Sequence, residues 1–257
     1  MISLEAIGIP GAGKSTVVSA AVHQLAESGI AAWDRAAHQR AIAGLHAARG
    51  GRLARARALA LFAGERHDLV RSIVRLTLRT RPPLPVSWVR AWNLWRMAHN
   101  EHLLREEGTP PAVVLHDQSL LQEIWSVLYL RPCSDEDALR GVLEALVEWL
   151  PDIVFLPRVD GDVALARMAE RRGRVGVTTD LDRMNLRAED MERTQDEAIR
   201  IAEMAADVAG ARLVVTNGSV DPTLQVRAIL AAIDARGGEV ALQSVGRGTK
   251  RDDSLAG

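Results

Sequence analysis

Apolar and polar positions along the chain alternate between two rhythms. Ile2 to Ile7 is a short apolar run of the length of a buried strand. Gly8 to Gly13 is a glycine-rich turn. From Lys14 to Glu27 the apolar residues Val17, Val18, Ala21, Val22 and Leu25 recur at helical spacing, and Gly29 is placed to stop the helix. Ile30 to Asp34 predicts a second strand. Strand, helix, strand in so short a span is a βαβ unit, whose crossover is expected to be right-handed.

The rhythm changes over residues 36–110. Ala, Leu and Arg recur at helical spacing, interrupted by Gly50-Gly51 and by Pro82-Pro83-Leu84-Pro85. This predicts several helices, the last over about Val86 to Glu107. A third strand over Ala112 to Asp117 ends in a carboxylate, and a helix over Leu120 to Leu130 follows. Ser134 is read as the cap of another helix running to Leu150, with Asp137 completing a capping box. Asp152 to Pro157 predicts a fourth strand, Asp162 to Arg172 a helix, and Gly173 to Thr179 a loop. A long helix covers about Arg187 to Ala209, and a fifth strand Ala211 to Thr216. Pro222 sits near the start of the last helix, where a missing N–H costs nothing. Five strands alternating with helices predict an α/β fold with a parallel sheet. The expected organisation is one domain over 1–236, with 36–110 as a helical insertion. Residues 237–257, rich in Gly and without periodicity, are expected to be a disordered tail.

Composition narrows this picture. The 257 residues are 47% hydrophobic and 25% charged, which excludes a disordered or fibrous chain. The formal net charge of −1 names no partner. No apolar stretch is long enough to span a membrane, and the N-terminus lacks the features of a signal peptide, so a cytoplasmic protein is expected. The single Cys133 excludes a disulfide framework, and its acidic neighbours disfavour a thiolate. The basic residues are almost all Arg. Of 32, only Lys14 and Lys250 are Lys, a scarcity that fits coding bias. Charge is also uneven. Residues 34–111 hold 14 Arg against 6 acids, about +8, which leaves about −9 for the rest. Solvated Arg stems over apolar surface account for this most simply. An anionic-substrate site or a nucleic-acid surface are the alternatives, nucleic acid being the weaker. Trp88, Trp92 and Trp95 fall on one helical face and are expected to form a core seam rather than a stacking platform.

The chemistry begins at Gly8-Ile9-Pro10-Gly11-Ala12-Gly13-Lys14-Ser15, which fits G-x-x-x-x-G-K-[ST] directly after a strand and at the opening of a helix. The glycines let backbone N–H groups surround phosphate oxygens, and the helix N-terminus adds its positive end. Lys14 supplies a compact charge for the β- and γ-phosphates. Ser15 is placed to reach Mg²⁺, and Thr16 to bond a further phosphate oxygen. Asp117, after the third strand, is expected to face this turn and serve the metal or the attacking hydroxyl. His116 is read as packing, because strand alternation turns it away from Asp117. Arg167 and Arg171 lie at i, i+4, followed by Arg172 and Arg174, and are suited to closing over transferring phosphate. Asn217-Gly218 follows the fifth strand, where a loop meets the base of a nucleotide. The guanine-reading Asn-Lys-x-Asp pattern is absent, which counts against a GTPase.

Together these motifs resemble the P-loop nucleoside and nucleotide kinases, most closely the thymidylate-kinase-like branch. The resemblance rests on the phosphate turn, Asp117, the Arg-x-x-x-Arg-Arg set of Arg167, Arg171 and Arg172, Asp182-Arg183, and Asn217-Gly218-Ser219. It implies a three-layer sandwich with a five-stranded parallel sheet in the order 2-3-1-4-5, and the insertion between strands 2 and 3. It also implies Mg-ATP as donor, and a nucleotide or nucleoside as acceptor. Lys14, Asp117, Arg167, Arg171 and Arg172 take the catalytic roles, and Ser15 and Asp117 the metal. Gly8, Pro10, Gly11, Ala12, Gly13, Lys14, Ser15, Thr16, Asn217 and Gly218 take the ATP, and Asp34, Arg35, Gln118 and Gln122 the acceptor. One position departs from the pattern. The family carries Asp-Arg or Glu-Arg after strand three, whereas this chain has Asp117-Gln118. A phosphorylated acceptor then requires its charge from elsewhere, the insertion included. Another hydroxylated metabolite, a nucleic-acid 5′-hydroxyl and an acceptor-free ATPase switch stay open as readings, as does a homodimer.

Overall fold

The computed structural model describes residues 1–80, 85–129, 135–175 and 186–248. Cys133, Ser134, Asp182, Arg183 and Lys250 lie outside them. Among the described residues five strands form one parallel sheet: β1 (Ile2–Ala6), β2 (Ala32–Trp33), β3 (Val113–His116), β4 (Ile153–Arg158) and β5 (Arg212–Asn217). Their order is β2-β3-β1-β4-β5, as expected. The register places Glu5 opposite His116, and Leu4 opposite Leu115 on one side and Ile153 on the other.

Alternation along the strands divides the core into two layers, because successive side chains face opposite sides of the sheet. Leu4, Ala6, Leu115, Ile153 and Phe155 pack beneath α1 (Lys14–Glu27) and the last helix, α10 (Pro222–Gly248). Ile7, Val154 and Leu156 face the other layer. That layer holds α6 (Leu120–Leu128), α7 (Glu136–Ala145), α8 (Gly161–Val175) and α9 (Ala188–Ala209). It also receives the insertion between β2 and β3, which is four helices: α2 (Arg35–Ala48), α3 (Arg52–Glu65), α4 (His67–Arg79) and α5 (Pro85–Glu107). The insertion joins the larger core cluster through Phe62, Leu69, Leu76, Leu94 and Trp95. Its apolar packing is continuous with that of the sheet's layer.

Three expectations are corrected. The helix expected from Ser134 to Leu150 is α7 followed by a 3₁₀ turn at Val147–Trp149, and Asp135 is its cap, accepting from the Ala138 N–H at 2.9 Å. The tail does not begin at 237. α10 continues to Gly248, because the glycine pair is followed by Glu, Ala, Leu and Gln, whose propensity sustains a helix already begun. The tryptophans do not form one seam. Trp95 is buried against Phe62 with ring centroids 4.7 Å apart, whereas Trp88 and Trp92 are 42% and 53% exposed. The buried face of α5 follows Ser87, Ala91, Leu94, Trp95 and Ala98, which rotates the earlier tryptophans outward. Among the described residues no helix is long and apolar enough to cross a membrane.

Trp95→Ala should therefore destabilise the protein by about 3–5 kcal/mol, and Trp92→Ala by less than about 0.5 kcal/mol, in urea unfolding monitored by circular dichroism.

Candidate active site

The phosphate turn folds as its glycines dictate. Gly8, Gly11 and Gly13 all have positive φ, at 146°, 82° and 91°. Gly11 is the most constrained. A Cβ there would lie 2.4 Å from the Ala164 carbonyl oxygen, so α8 rests directly on the turn. Lys14 opens α1 and is buried. Its Nζ donates to the carbonyl oxygens of Gly8 at 2.6 Å and Ile9 at 3.0 Å, so the ammonium is held across the mouth of the turn. Burial pushes it down to about 8, against the opposing pull of Asp117, and Arg171 lowers it further.

Asp117 meets the turn as the sequence predicts. Ser15 Oγ donates to its Oδ2 at 2.5 Å. The other oxygen, Oδ1, is buried and has no hydrogen-bond partner. A carboxylate oxygen left in this state is costly unless something positive reaches it. Hard oxygen donors of this kind suit Mg²⁺, with phosphate and water completing its shell. The Ser15–Asp117 pair therefore fits the ion that the resemblance implies.

The residue that sets Asp117 in place was not anticipated. Glu5 on β1 is fully buried and reaches under the β3–α6 loop. Its carboxylate accepts from the backbone N–H groups of Ser119 at 2.9 Å, Leu121 at 3.1 Å and Gln122 at 2.9 Å. Ser119 makes no side-chain cap of its own, so Glu5 caps α6 from across the sheet. Burial raises the Glu5 carboxyl to about 7, although each of those N–H groups pulls it down. His116 is buried on the same face of the sheet as Glu5, and burial pushes its imidazole down to about 4. It packs edge to face on His38.

A cavity of about 600 Å³ opens beside the turn. One wall is Pro10, Gly11, Gly13, Lys14, Ser15 and Thr16. α8 forms another with Arg167, Arg171 and Arg174, at i, i+4, i+7. Arg167 Nη1 donates to the carbonyl oxygens of Gly11 at 3.2 Å and Gly218 at 2.9 Å, so it locks α8, the turn and the β5–α10 loop together. Arg172 is exposed and does not line this space, because it stands one position off the inward stripe; Arg174 occupies that stripe, paired with Glu170 at 3.2 Å. Gly218 lies against Ala12, where a Cβ would be 3.1 Å from the Ala12 carbonyl oxygen. Asn217 Oδ1 accepts from the Ser219 N–H, which shapes the loop as an Asx turn.

The acceptor-side residues fare unevenly. Gln118 and Gln122 line the cavity. Gln122 Oε1 also accepts from the Gly8 N–H at 3.2 Å, tying α6 to the phosphate turn. Gln118 Oε1 accepts from Arg35 Nη1 at 2.7 Å. Asp34 does not line the cavity. Its Oδ1 caps α2 by accepting from the Ala37 N–H at 2.7 Å. Two residues not foreseen line the far end, Glu123 of α6 and Arg90 of α5, 3.7 Å apart. Burial raises the Glu123 carboxyl, and its Oε2 is buried with no hydrogen-bond partner. The signal for Glu123 lay in α6 itself, where Gln122-Glu123 interrupts a helix that is otherwise almost wholly apolar.

No family model matches the chain, and no curated protein matches it. Solved structures of deoxyadenosine kinase from M. mycoides are similar to it. The structure with bound dATP gives a TM-score of 0.49, the one with dCTP 0.47, and the one with the products dCMP and dCDP 0.48. Each is 14% identical, over 91% of this chain and 100% of that chain.

Two substitutions test this geometry. Gly11→Ala places a side chain at positive φ and against a backbone carbonyl, and should destabilise by at least ~2 kcal/mol in urea unfolding. Glu5→Gln tests the buried carboxyl. A carboxyl raised in the fold contributes stability that is fully present below its ordinary value of 4.5 and is lost as pH rises through about 7. The stability of wild type relative to Glu5→Gln should fall by up to ~3 kcal/mol across that window, read from unfolding curves at stepped pH.

Proposed function

We propose that the protein is an ATP-dependent kinase that transfers the γ-phosphoryl group to a hydroxyl of a nucleoside-like small molecule. The observation that carries this reading is the meeting of Lys14, Ser15 and Asp117 at the phosphate turn, beside a cavity walled by the α8 arginines. The turn's N–H groups and Lys14 would receive the phosphates of ATP, and the β5–α10 loop at Asn217 and Gly218 would receive its base. Ser15 and Asp117 would hold Mg²⁺, which when bound neutralises phosphate charge. Arg171 and Arg174, which line the cavity, would meet the γ-phosphoryl, and Arg167 would position their helix. Arginine suits this work because its charge is permanent and its donors are planar. The reaction needs little covalent chemistry from the protein. Alignment and charge are sufficient for in-line transfer between oxygens.

At the acceptor side Arg90 faces Glu123, so that pair is compensated. Gln118 and Gln122 are neutral amides, and Arg35 of the insertion donates to Gln118. Together these groups can hydrogen-bond a sugar or a base, and Arg35 would be the cation nearest to hand if the acceptor carried a phosphate. The unpartnered Glu123 Oε2 is the atom best placed to accept a proton or hydrogen bond from the acceptor. Burial, which raises its carboxyl, supports this role.

The test uses labelled ATP and Mg²⁺ with separate pools of nucleosides, nucleoside monophosphates, oligonucleotides and other hydroxylated metabolites. Transfer to a nucleoside is expected, with Lys14→Ala and Asp117→Asn each lowering kcat at least ~100-fold. Glu123→Gln should reduce transfer without weakening ATP binding. ATP hydrolysis that no acceptor stimulates would overturn the reading.

A further inference from the structure

Two histidines and a glutamate meet beside β3 and have no part in the proposed reaction. His38 of α2, Glu101 of α5 and His116 of β3 each bring one ligand atom to within 4.8 Å of the others. Both histidines are buried, and the Glu101 side chain is 13% exposed. The imidazoles meet edge to face, with centroids 4.5 Å apart and planes at 89°.

An ordinary hydrogen-bonded pair does not account for the contact. His38 Nε2 lies 3.0 Å from Glu101 Oε1, close enough for a hydrogen bond, yet it has no partner of acceptable hydrogen-bond geometry. Direction matters as much as distance for such a bond. A ring nitrogen and a carboxylate oxygen that converge without lining up on each other suit a common third group beside both. A small cavity of about 20 Å³ borders Glu101 and His116 on the side of Glu5 and Ser119, and His38 is not part of its lining. Donor type then selects the ion. Two imidazoles and one carboxylate are poor ligands for Mg²⁺ and good ones for zinc-class ions, which commonly take three protein groups and leave a fourth position to water.

We propose that His38, Glu101 and His116 bind one zinc-class divalent ion that fastens the helical insertion to the sheet. Two ligands come from the insertion and the third from the residue directly before Asp117. The ion would fix α2 and α5 against β3 at the point where the insertion approaches the phosphate turn. Its role is structural, and it stands independently of whether the neighbouring site is a kinase.

The test uses the full chain, stripped with a chelator and titrated with Zn²⁺ against a chromophoric competitor. One equivalent should bind. His38→Ala and Glu101→Gln should each weaken that binding more than about 100-fold, beyond the effect of removing an outer-shell partner. His23→Ala, which removes the exposed His23–Glu27 pair, should leave it unchanged. A measurement on the wild type guards against variants that fail to fold. Zn²⁺ should shift the ¹⁵N ring resonances of His38 and His116 and leave those of His23 in place. Less than one equivalent bound, equal affinity in folded His38→Ala, or ring shifts at other histidines would overturn the proposal.

Discussion

The buried carboxylate of Glu5 is the interaction on which the site depends. It lies on the central strand of the sheet and takes three backbone N–H groups from the start of α6. Those groups belong to the residues that directly follow Asp117 and Gln118, so the loop has one position rather than many. Asp117 can then face Ser15 without moving. A helix N-terminus normally finds its cap in its own sequence. Here the cap comes from another strand, which ties the β3–α6 loop to β1 and to the turn that β1 feeds. The cost is a carboxylate out of water, and the cluster of N–H groups offsets it only in part.

The same logic extends outward. Gln122, fixed at its backbone by Glu5, uses its side chain to hold Gly8. Arg167 holds the opposite side of the turn through Gly11 and reaches Gly218. The phosphate turn is thus braced from α6 on one side and from α8 on the other, and Lys14 spans its mouth. A cradle held this way approaches a ligand already organised, so less ordering remains to be done on binding. The arginines of α8 are mounted on a helix that this bracing fixes.

Legibility in the sequence follows the range of the interactions. The phosphate turn and α1 were readable because local sequence determines them. Positive φ calls for Gly, and Lys14-Ser15 opens a helix whose bounds, Lys14–Glu27, were foreseen to the residue. The strand order required the family resemblance, since crossover topology is not written in any one segment. Asp117 was found because its strand is unmistakably apolar. Glu5 was passed over although a lone acid inside a buried strand is itself a signal. Its meaning lies in contacts more than a hundred residues away. Asp34 and Arg172 show the converse. Both have suitable chemistry, but one caps its own helix and the other stands a residue off the inward stripe of α8. The tryptophans of α5 failed for a similar reason. Spacing places them on one face, while the partner helices decide how much of that face is covered.

Lys14 has a consequence beyond its bonds across the turn. Only two lysines occur in the sequence, and Lys14 alone lies among the described residues. Its amine, held near 8 by burial, carries a larger neutral fraction at physiological pH than an ordinary lysine. A neutral amine is a nucleophile. Among the described residues, acylating chemistry directed at lysine side chains thus has a single address, and that address lies at the glycine-rich turn. The sequence's near-avoidance of lysine concentrates such reactivity, among the described residues, at the glycine-rich turn.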